Sequence, residues 1–486
     1  MMSIDFLLAM LLYAGIGLVL ASVVVAGQLV FLDAATRFGR WLLPLVPVLG
    51  WTSMALTIVF SHRNLNSQLL GSNPAGDQGS AWINRGVTAV LMAIAVGKVV
   101  ESLYQRRQAY STHTHSNAGE RANRRLFVAM LAFVAASLVL PMMFSAHPGF
   151  AHDGIPAALA MVAIYMARRE PLDRFVAGAK WTLFLVMLAS LAVAIAHPDI
   201  AIEKNYGAGW IPGLRIRLWG LAAHANTLGA LTLYFMLTLL LQPARSRAVN
   251  MLMWGAMLLV LLLSQSKTSW GGAALVGFIY ASYNWGRDPR GGLRPAFIIG
   301  VLLSLAGLAS LLMVIDPSRV LGRFMDTDTG ANLTTLTGRT EIWAAAYGMW
   351  LDSPAFGYGL EAWSPLHRLQ LGLPFATHAH NQFMQALAIG GVFDALALLA
   401  YIVLLVSGAV RAARRTHGVS LGLMALFLLR CVTEVPLEFS NITAADVVAH
   451  LLLFALIVNE HRPSSDAEAQ ASMTGSKLSS PMGRVL

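Results

Sequence analysis

Long apolar stretches recur along the chain, each followed by a shorter polar segment. Most can cross a hydrocarbon core of ~30 Å as helices, which takes about 20 residues. None shows the strict alternation of a barrel strand. Candidate spans fall at 5–31, 41–60, 82–103, 126–144, 154–167, 175–196, 219–241, 250–264, 270–284, 296–315, 384–410, 420–436 and 446–460. The 154–167 stretch is short for a crossing and the first pair is ambiguous, so the pattern predicts twelve or thirteen crossings. The expected fold is an all-α polytopic membrane protein.

Composition agrees. Of the 486 residues, 57% are hydrophobic and 12% charged, against about 25% charged in a soluble domain. The net charge of +10 raises the question of nucleic acid. In a polytopic membrane protein, however, excess Lys and Arg collects in cytoplasmic loops and sets orientation, so no nucleic-acid partner is expected. The single cysteine, Cys431, excludes an internal disulfide. The first apolar segment lacks a basic leader and is too long for a signal peptide, which makes it a retained span.

Five connecting segments are basic: YQRRQAYSTHTHSNAGERANRR, ARREPLDR, QPARSR, WGRDPRGGLR and RAARRTHG. They alternate with the other loops, which places them in the cytoplasm together with a Ser-rich tail, 461–486, of disordered composition. The remaining loops face outward, to the periplasm in a Gram-negative host. The expected organisation is a membrane bundle in two parts, 1–315 and 384–460, interrupted by an outward segment at 316–383 too long to be mere connection. Within it, Thr337-Gly338-Arg339-Thr340-Glu341 reads as a helix start, and Ile342, Trp343, Ala346, Tyr347, Met349 and Trp350 form one apolar face. Asp352-Ser353-Pro354 then stops the helix. GYGLEAWSPLHRLQLGLP predicts a second short helix.

Four cations fall on the outward side against the charge rule: Arg215 and Arg217 in GLRIRLWG, Lys267 in SQSKTS and Arg339 in TGRTEIW. Cations near the membrane plane are costly and mark anion or substrate sites. Individually each has a plain structural reading: a snorkelling arginine, a capping lysine, a solvated helix start. Together they suit a pyrophosphate, which takes arginine forks and a lysine point charge. The stretch THAHNQF adds His378, His380 and Asn381 at the entrance of the next span. If that helix starts near Thr377, His380 lies in its first turn, where the dipole favours a neutral imidazole able to act as a general base. Two positions on a helix are about 200° apart, so a helical backbone cannot aim both histidines at one site and one of them is structural. Asn381 either orients its neighbour or binds a sugar hydroxyl.

Metal chemistry is not favoured by the pattern. Asp326-Thr327-Asp328 lies in a polar Thr/Asp/Gly loop, THTH at 112–115 has no acids beside it, and HAH lacks the i, i+4 spacing of helical zinc pairs. No phosphate-binding glycine loop for ATP and no serine elbow is present. No cofactor is expected.

At this point the chain resembles the O-antigen ligase and polymerase superfamily of bacterial membrane glycosyltransferases. The likeness rests on Arg217-Leu-Trp-Gly220 with His224-Ala-Asn226, the Ser-Lys267-Thr turn, Thr-Gly338-Arg339-Thr-Glu-Ile-Trp followed by Ser-Pro-Ala-Phe-Gly357-Tyr-Gly359, and His380-Asn381-Gln-Phe-Met with Gly390-Gly391. It covers about residues 205–400. The resemblance implies a GT-C-like enzyme of the inner membrane that releases a sugar chain from undecaprenyl pyrophosphate at the periplasmic face, without a metal and with inversion. A ligase passes the chain to lipid A–core oligosaccharide, a polymerase to another carrier-linked repeat, and a related branch to protein hydroxyls. His380 would be the base. Arg217 and Arg339 would hold the leaving pyrophosphate with Lys267 helping, and Arg215 is the alternative to Arg217. His378 and Asn381 would complete the substrate site. Three departures stand out: Lys267 where Arg is common, His224 for a frequent Pro, and Ile389 where relatives often carry Glu, with Glu341 and Glu361 as candidates to replace that acid. A lipid-linked sugar transporter is the alternative of a different class, but the halves show no repeat and the cations gather on one face.

Overall fold

In the computed structural model, residues 41–61, 63–66, 78–108, 118–207, 213–285, 339–374 and 376–461 are described, with short runs between 10 and 24 and a few single positions besides. The expected span 296–315, most of 5–31, the Asp326–Asp328 loop, THTH and the tail beyond 461 lie outside the described residues. What is described is mostly helical. In chain order the helices are α1 Leu42–Phe60, α2 Gln78–Gln108, α3 Ala118–Val134, a π-helical turn Ala135–Val139, α4 Leu140–Phe144, α5 Ile155–Met166, α6 Asp173–Ala196 and α7 Pro198–Ala201. A two-stranded antiparallel hairpin follows, β1 Ile202–Lys204 and β2 Ile216–Leu218. Then come α8 Ala225–Leu241, α9 Arg247–Ser264, α10 Lys267–Asn284, α11 Arg339–Asp352, α12 Pro365–Gln370, α13 Gln382–Ala412, α14 Val419–Thr433 and α15 Ala445–Val458.

Among the described residues, six helices are long and apolar enough to cross a membrane: α1, the central part of α2, the continuous run α3–α4, α6, α9 and α13. Shorter apolar helices α5, α8, α14 and α15 complete the bundle. Each predicted span among the described residues coincides with one of these helices or with α10 to within a few residues at most ends, because length and apolarity dictate both. Two starts differ more: the predicted span from 219 begins only at Ala225, behind the hairpin, and that from 126 already at Ala118.

A helix apolar on every side belongs in the middle of a bundle. In α15 every residue from Val447 to Val458 is buried, and α13, α5, α1, α14 and α8 surround it. Burying one Leu- or Phe-sized side chain contributes about 1.5–3 kcal/mol in water; between helices in lipid, close packing of such surfaces takes over that role.

The two helices expected within 339–374 are present. α11, described from Arg339, stops at Asp352 and buries Ala346 and Met349, and α12 starts at Pro365 with Ser364 as its cap. The link between them docks on α13 through backbone. At Gly391 the helix breaks (φ 67°), which frees the carbonyls of Ala388 and Ile389 and the amides of Val392 and Phe393. Tyr358 and Gly359 donate to the two carbonyls at 2.8 and 3.1 Å, while Pro354 and Ala355 accept from the two amides at 2.9 and 3.3 Å. A Cβ on Gly357 or Gly391 would stand 2.5 Å from the opposing backbone, so this exchange requires glycine on both sides.

Candidate functional site

Ala379 explains how the two histidines are placed. Its N–H donates to Gln385 Oε1 at 2.8 Å and its carbonyl accepts from the Trp343 indole at 2.9 Å. The segment is held out of the helix, and His380 takes a left-handed conformation (φ 49°), which costs a non-glycine residue about 1–2 kcal/mol. Asn381 is the N-cap of α13, its Oδ1 accepting from the amides of Phe383 and Met384 at 3.0 Å. The expectation of a helix from Thr377 with His380 in its first turn is therefore corrected, and with it the argument that only one histidine serves the site. Outside a helix, alternate residues share a side. The imidazoles of His378 and His380 stand 4.1 Å apart between centroids.

Both point at Glu434, in the turn after α14. His378 Nε2 and His380 Nδ1 each lie 3.0 Å from Glu434 Oε2, and Arg339 is 3.7 Å from the other carboxylate oxygen. Burial alone would push this carboxyl up. The hydrogen bonds from the two histidines outweigh it and hold Glu434 well below the usual carboxylate range. An ionised carboxylate only accepts, so each facing ring nitrogen donates its proton. That fixes the tautomer: His380 keeps its lone pair on Nε2, and His378 Nδ1 accepts from the Thr377 hydroxyl at 3.1 Å. Burial lowers the His380 pKa, with the hydrogen bond to Glu434 opposing that shift, so the ring is neutral near pH 7.

A second group of residues is built by the hairpin. Arg217 in β2 is buried. Its Nε donates to the Ser264 carbonyl at 3.1 Å and one terminal nitrogen to Asn226 Oδ1 at 2.8 Å, and its guanidinium lies 4.7 Å from the Tyr206 ring centre. Gln265, itself left-handed at φ 47°, donates to the carbonyls of Leu214 and Ile216. The turn that carries Lys267 at the start of α10 is thereby fastened to the hairpin, within electrostatic reach of Arg217. His224 caps α8, its Nδ1 accepting from the Asn226 amide at 3.1 Å. Burial, then the Arg217 charge, lowers its pKa to about 4, and the charges of Glu434 and His380 also reach it. The two groups thus form one electrostatic neighbourhood around His224.

Of the residues expected from sequence, His378, His380 and Arg339 meet at Glu434, and Arg217 and Lys267 meet at the hairpin. Asn381 spends its side chain on the cap and on the Val432 carbonyl, 3.4 Å from Nδ2. Arg215, just before β2, is exposed, and among the described residues no contact joins its guanidinium to either group. Glu341 and Glu361 are exposed. Sequence reasoning missed Glu434, whose signal was an acid inside the end of the predicted span 420–436 in a chain poor in charge. It also missed Arg63, whose guanidinium donates to the carbonyls of Ile200, Gly220 and Ala222 at 2.9, 2.6 and 2.6 Å and pins the hairpin to α1.

His378, His380 and Glu434 offer ligand atoms within 4.8 Å of one another, a nitrogen and oxygen set that zinc accepts. Arg339 beside the carboxylate and the cations at the hairpin oppose a further positive charge there. The arrangement does supply a neutral imidazole with a fixed free nitrogen, backed by a carboxylate and flanked by arginine and lysine. It can take a proton from a hydroxyl while an anion leaves nearby.

No curated protein matches the chain. A family model described as O-Antigen ligase matches residues 252–400. That stretch runs from α9 through Lys267, Arg339, His378 and His380 past the break in α13, and over it the chain is similar to the O-antigen ligase family, which supports membership of that superfamily.

Proposed function

We propose that this protein is an O-antigen ligase. It transfers a polysaccharide from undecaprenyl pyrophosphate to lipid A–core oligosaccharide at the periplasmic face of the inner membrane. The observation that carries the reading is the convergence of His378 and His380 on Glu434 beside Arg339, the two histidines and Arg339 lying within the stretch matched by the family model.

The reaction needs little else. The acceptor hydroxyl approaches His380 Nε2 and gives up its proton as its oxygen attacks the anomeric carbon. The bond from that carbon to the phosphate oxygen breaks, its electron pair leaving with the pyrophosphate. A single in-line displacement inverts the anomeric centre. Glu434 holds the imidazole in the productive tautomer and stabilises the imidazolium that forms. Arg339, Arg217 and Lys267 neutralise the departing anion, aided by the helix N-terminus of α10 at which Lys267 sits. The leaving group is already activated, so base and charge stabilisation suffice without a metal or nucleotide. The outward segment from Arg339 to the start of α13 frames the site from above and is suited to presenting a membrane-embedded acceptor.

The test combines purified protein, chelator, undecaprenyl-pyrophosphate-linked O-antigen and lipid A–core, read by gel mobility. A shifted lipid A–core band that vanishes in His380→Ala supports the ligase. Longer carrier-linked chains without that band would make it a polymerase of the same superfamily. Intact donor and no product, from a correctly folded protein, would sink both.

A further inference from the structure

Below the histidine loop lies a small cavity that the proposed reaction does not use. It has a volume of about 40 Å³ and is lined by two acids, Asp394 and Glu438, together with Ser137, Gln382 and Gln385 and an apolar wall that includes Phe133 and Ile389. No Lys, Arg or His lines it. Asp394 is 3% exposed, and its Oδ1 is fully buried with no hydrogen-bond partner. The Ser137 hydroxyl is likewise buried and unpartnered. Glu438 takes one hydrogen bond, from Gln385 Nε2 at 3.0 Å. His378 is the base whose charge bears on it.

The backbone prepares another oxygen. Ser137 and Ala136 lie in the π-helical turn, where Leu140 N–H reaches back to the Ala135 carbonyl. The next i+5 donor would be residue 141, a proline, so the ladder offers the Ala136 carbonyl no partner of that kind. A Cβ placed on Gly390 would lie 2.8 Å from this carbonyl oxygen and 2.5 Å from Asp394 Cβ. Glycine at 390 thus lets the π turn and Asp394 close on each other, and the break at Gly391 sets Asp394 on that side.

We propose that Asp394, Glu438, the Ser137 hydroxyl and the Ala136 carbonyl hold a calcium ion. Two carboxylates facing one cavity without a cation carry a charge that a divalent ion cancels, and unpaired acids at this depth are costly. The donors are all oxygen, which selects a hard cation over zinc or copper. Calcium tolerates irregular oxygen cages, whereas magnesium keeps several waters. A cavity of this size holds an ion with about one water. The site does not rest on the proposed reaction, but it bears on the same loop. Glu438 is tied to Gln385, and Gln385 to the Ala379 amide between the two histidines, so the ion clamps the segment that aims them.

The test uses full-length protein in detergent, stripped with EGTA and titrated with CaCl2 by calorimetry, with melting curves in CaCl2, MgCl2 and NaCl. Neither donor nor acceptor is present, so the outcome is independent of the transferase reading. The expected result is one calcium bound per chain, a higher melting temperature in calcium than in magnesium, and no response to sodium at equal ionic strength. Asp394→Asn loses the bound equivalent, and His380→Ala keeps it. If Asp394→Asn does not fold, Ser137→Ala decides by weakened binding. Absence of saturable binding by the wild type overturns the proposal, as does unchanged binding in both cavity variants. Loss of the ion in His380→Ala overturns it too, because the ion would then belong to the histidine cluster. A melting temperature that responds to pH and not to calcium would mean that the acids share a proton instead.

Discussion

At the end of the bundle where α5 gives way to α6, Arg168 lies 3.3 Å from Glu460 and 3.9 Å from Glu120, and Arg169 faces the same two acids. Lys98 nearby is shared by Glu101, at 3.0 Å, and Glu170. At the opposite end, buried Arg217 rests on a carbonyl, an amide oxygen and an aromatic ring, and buried Arg63 on three carbonyls. Both sets are satisfied, but with different remainders. Carboxylates cancel the charge of the first set. Neutral oxygens and ring faces position the second set and leave its charge to act on whatever approaches. Glu434 is the acid in contact with that end's Arg339, and its charge is shared with two imidazoles. A cation pinned by neutral partners is built to meet an anion, while a cation matched by acids is built to hold helices together.

Variants at each end can break this contrast. The largest effect is expected for His380→Ala, which removes the proposed base and should lower the transfer rate by about 10²–10⁴-fold in protein that still elutes as a folded species. Wild-type-like turnover would remove His380 from the chemistry. Arg339→Ala should follow at about 10²–10³-fold. At Arg217, Lys keeps the charge but loses the fork, so Arg217→Lys should fall between wild type and Arg339→Ala in initial rate. Equal rates for Arg217→Lys and wild type would show that its geometry is immaterial.

Glu434→Gln sharpens the comparison through pH. Burial lowers the His380 pKa from the ordinary 6.5 and Glu434 raises it again. Base activity is present above the His380 pKa and is lost as pH falls through it. Removing the carboxylate deletes the upward pull, so the acid limb of kcat/KM should move to lower pH while the plateau drops. A limb that stays in place would detach Glu434 from His380. The smallest effect on transfer is expected from Glu460→Gln at the other end. It should lower the melting temperature by unpairing buried Arg168 and leave the rate per folded molecule unchanged.

The helices were legible because an apolar run long enough to span reads the same in one dimension as in three. α1, α6 and α13 begin and end within about two residues of where hydropathy puts them. His378 and His380 were legible as candidates because polar residues stand out at the mouth of an apolar run. Their convergence was not, since it depends on a left-handed residue and on the grip of Trp343 and Gln385 on Ala379, contacts spanning up to 36 residues. Glu434 was illegible for the same reason. It is 54 residues from His380, in a turn without a motif, and only the packing of α13 against α14 joins them. The paired glycines 357 and 391 were visible as residues but not as partners, because two backbones that exchange hydrogen bonds leave no side-chain pattern.

Glu434 follows α14, late in the chain, and synthesis runs from the N-terminus. A chain that has placed Arg217, Lys267, Arg339 and His380 still lacks the carboxylate that orients the imidazole until α14 has been inserted. A nascent or truncated chain therefore gathers its cations before it can direct its base. In the proposed reaction competence would then arrive late and abruptly, which would protect an energy-rich lipid-linked donor from being wasted on water by half-made protein.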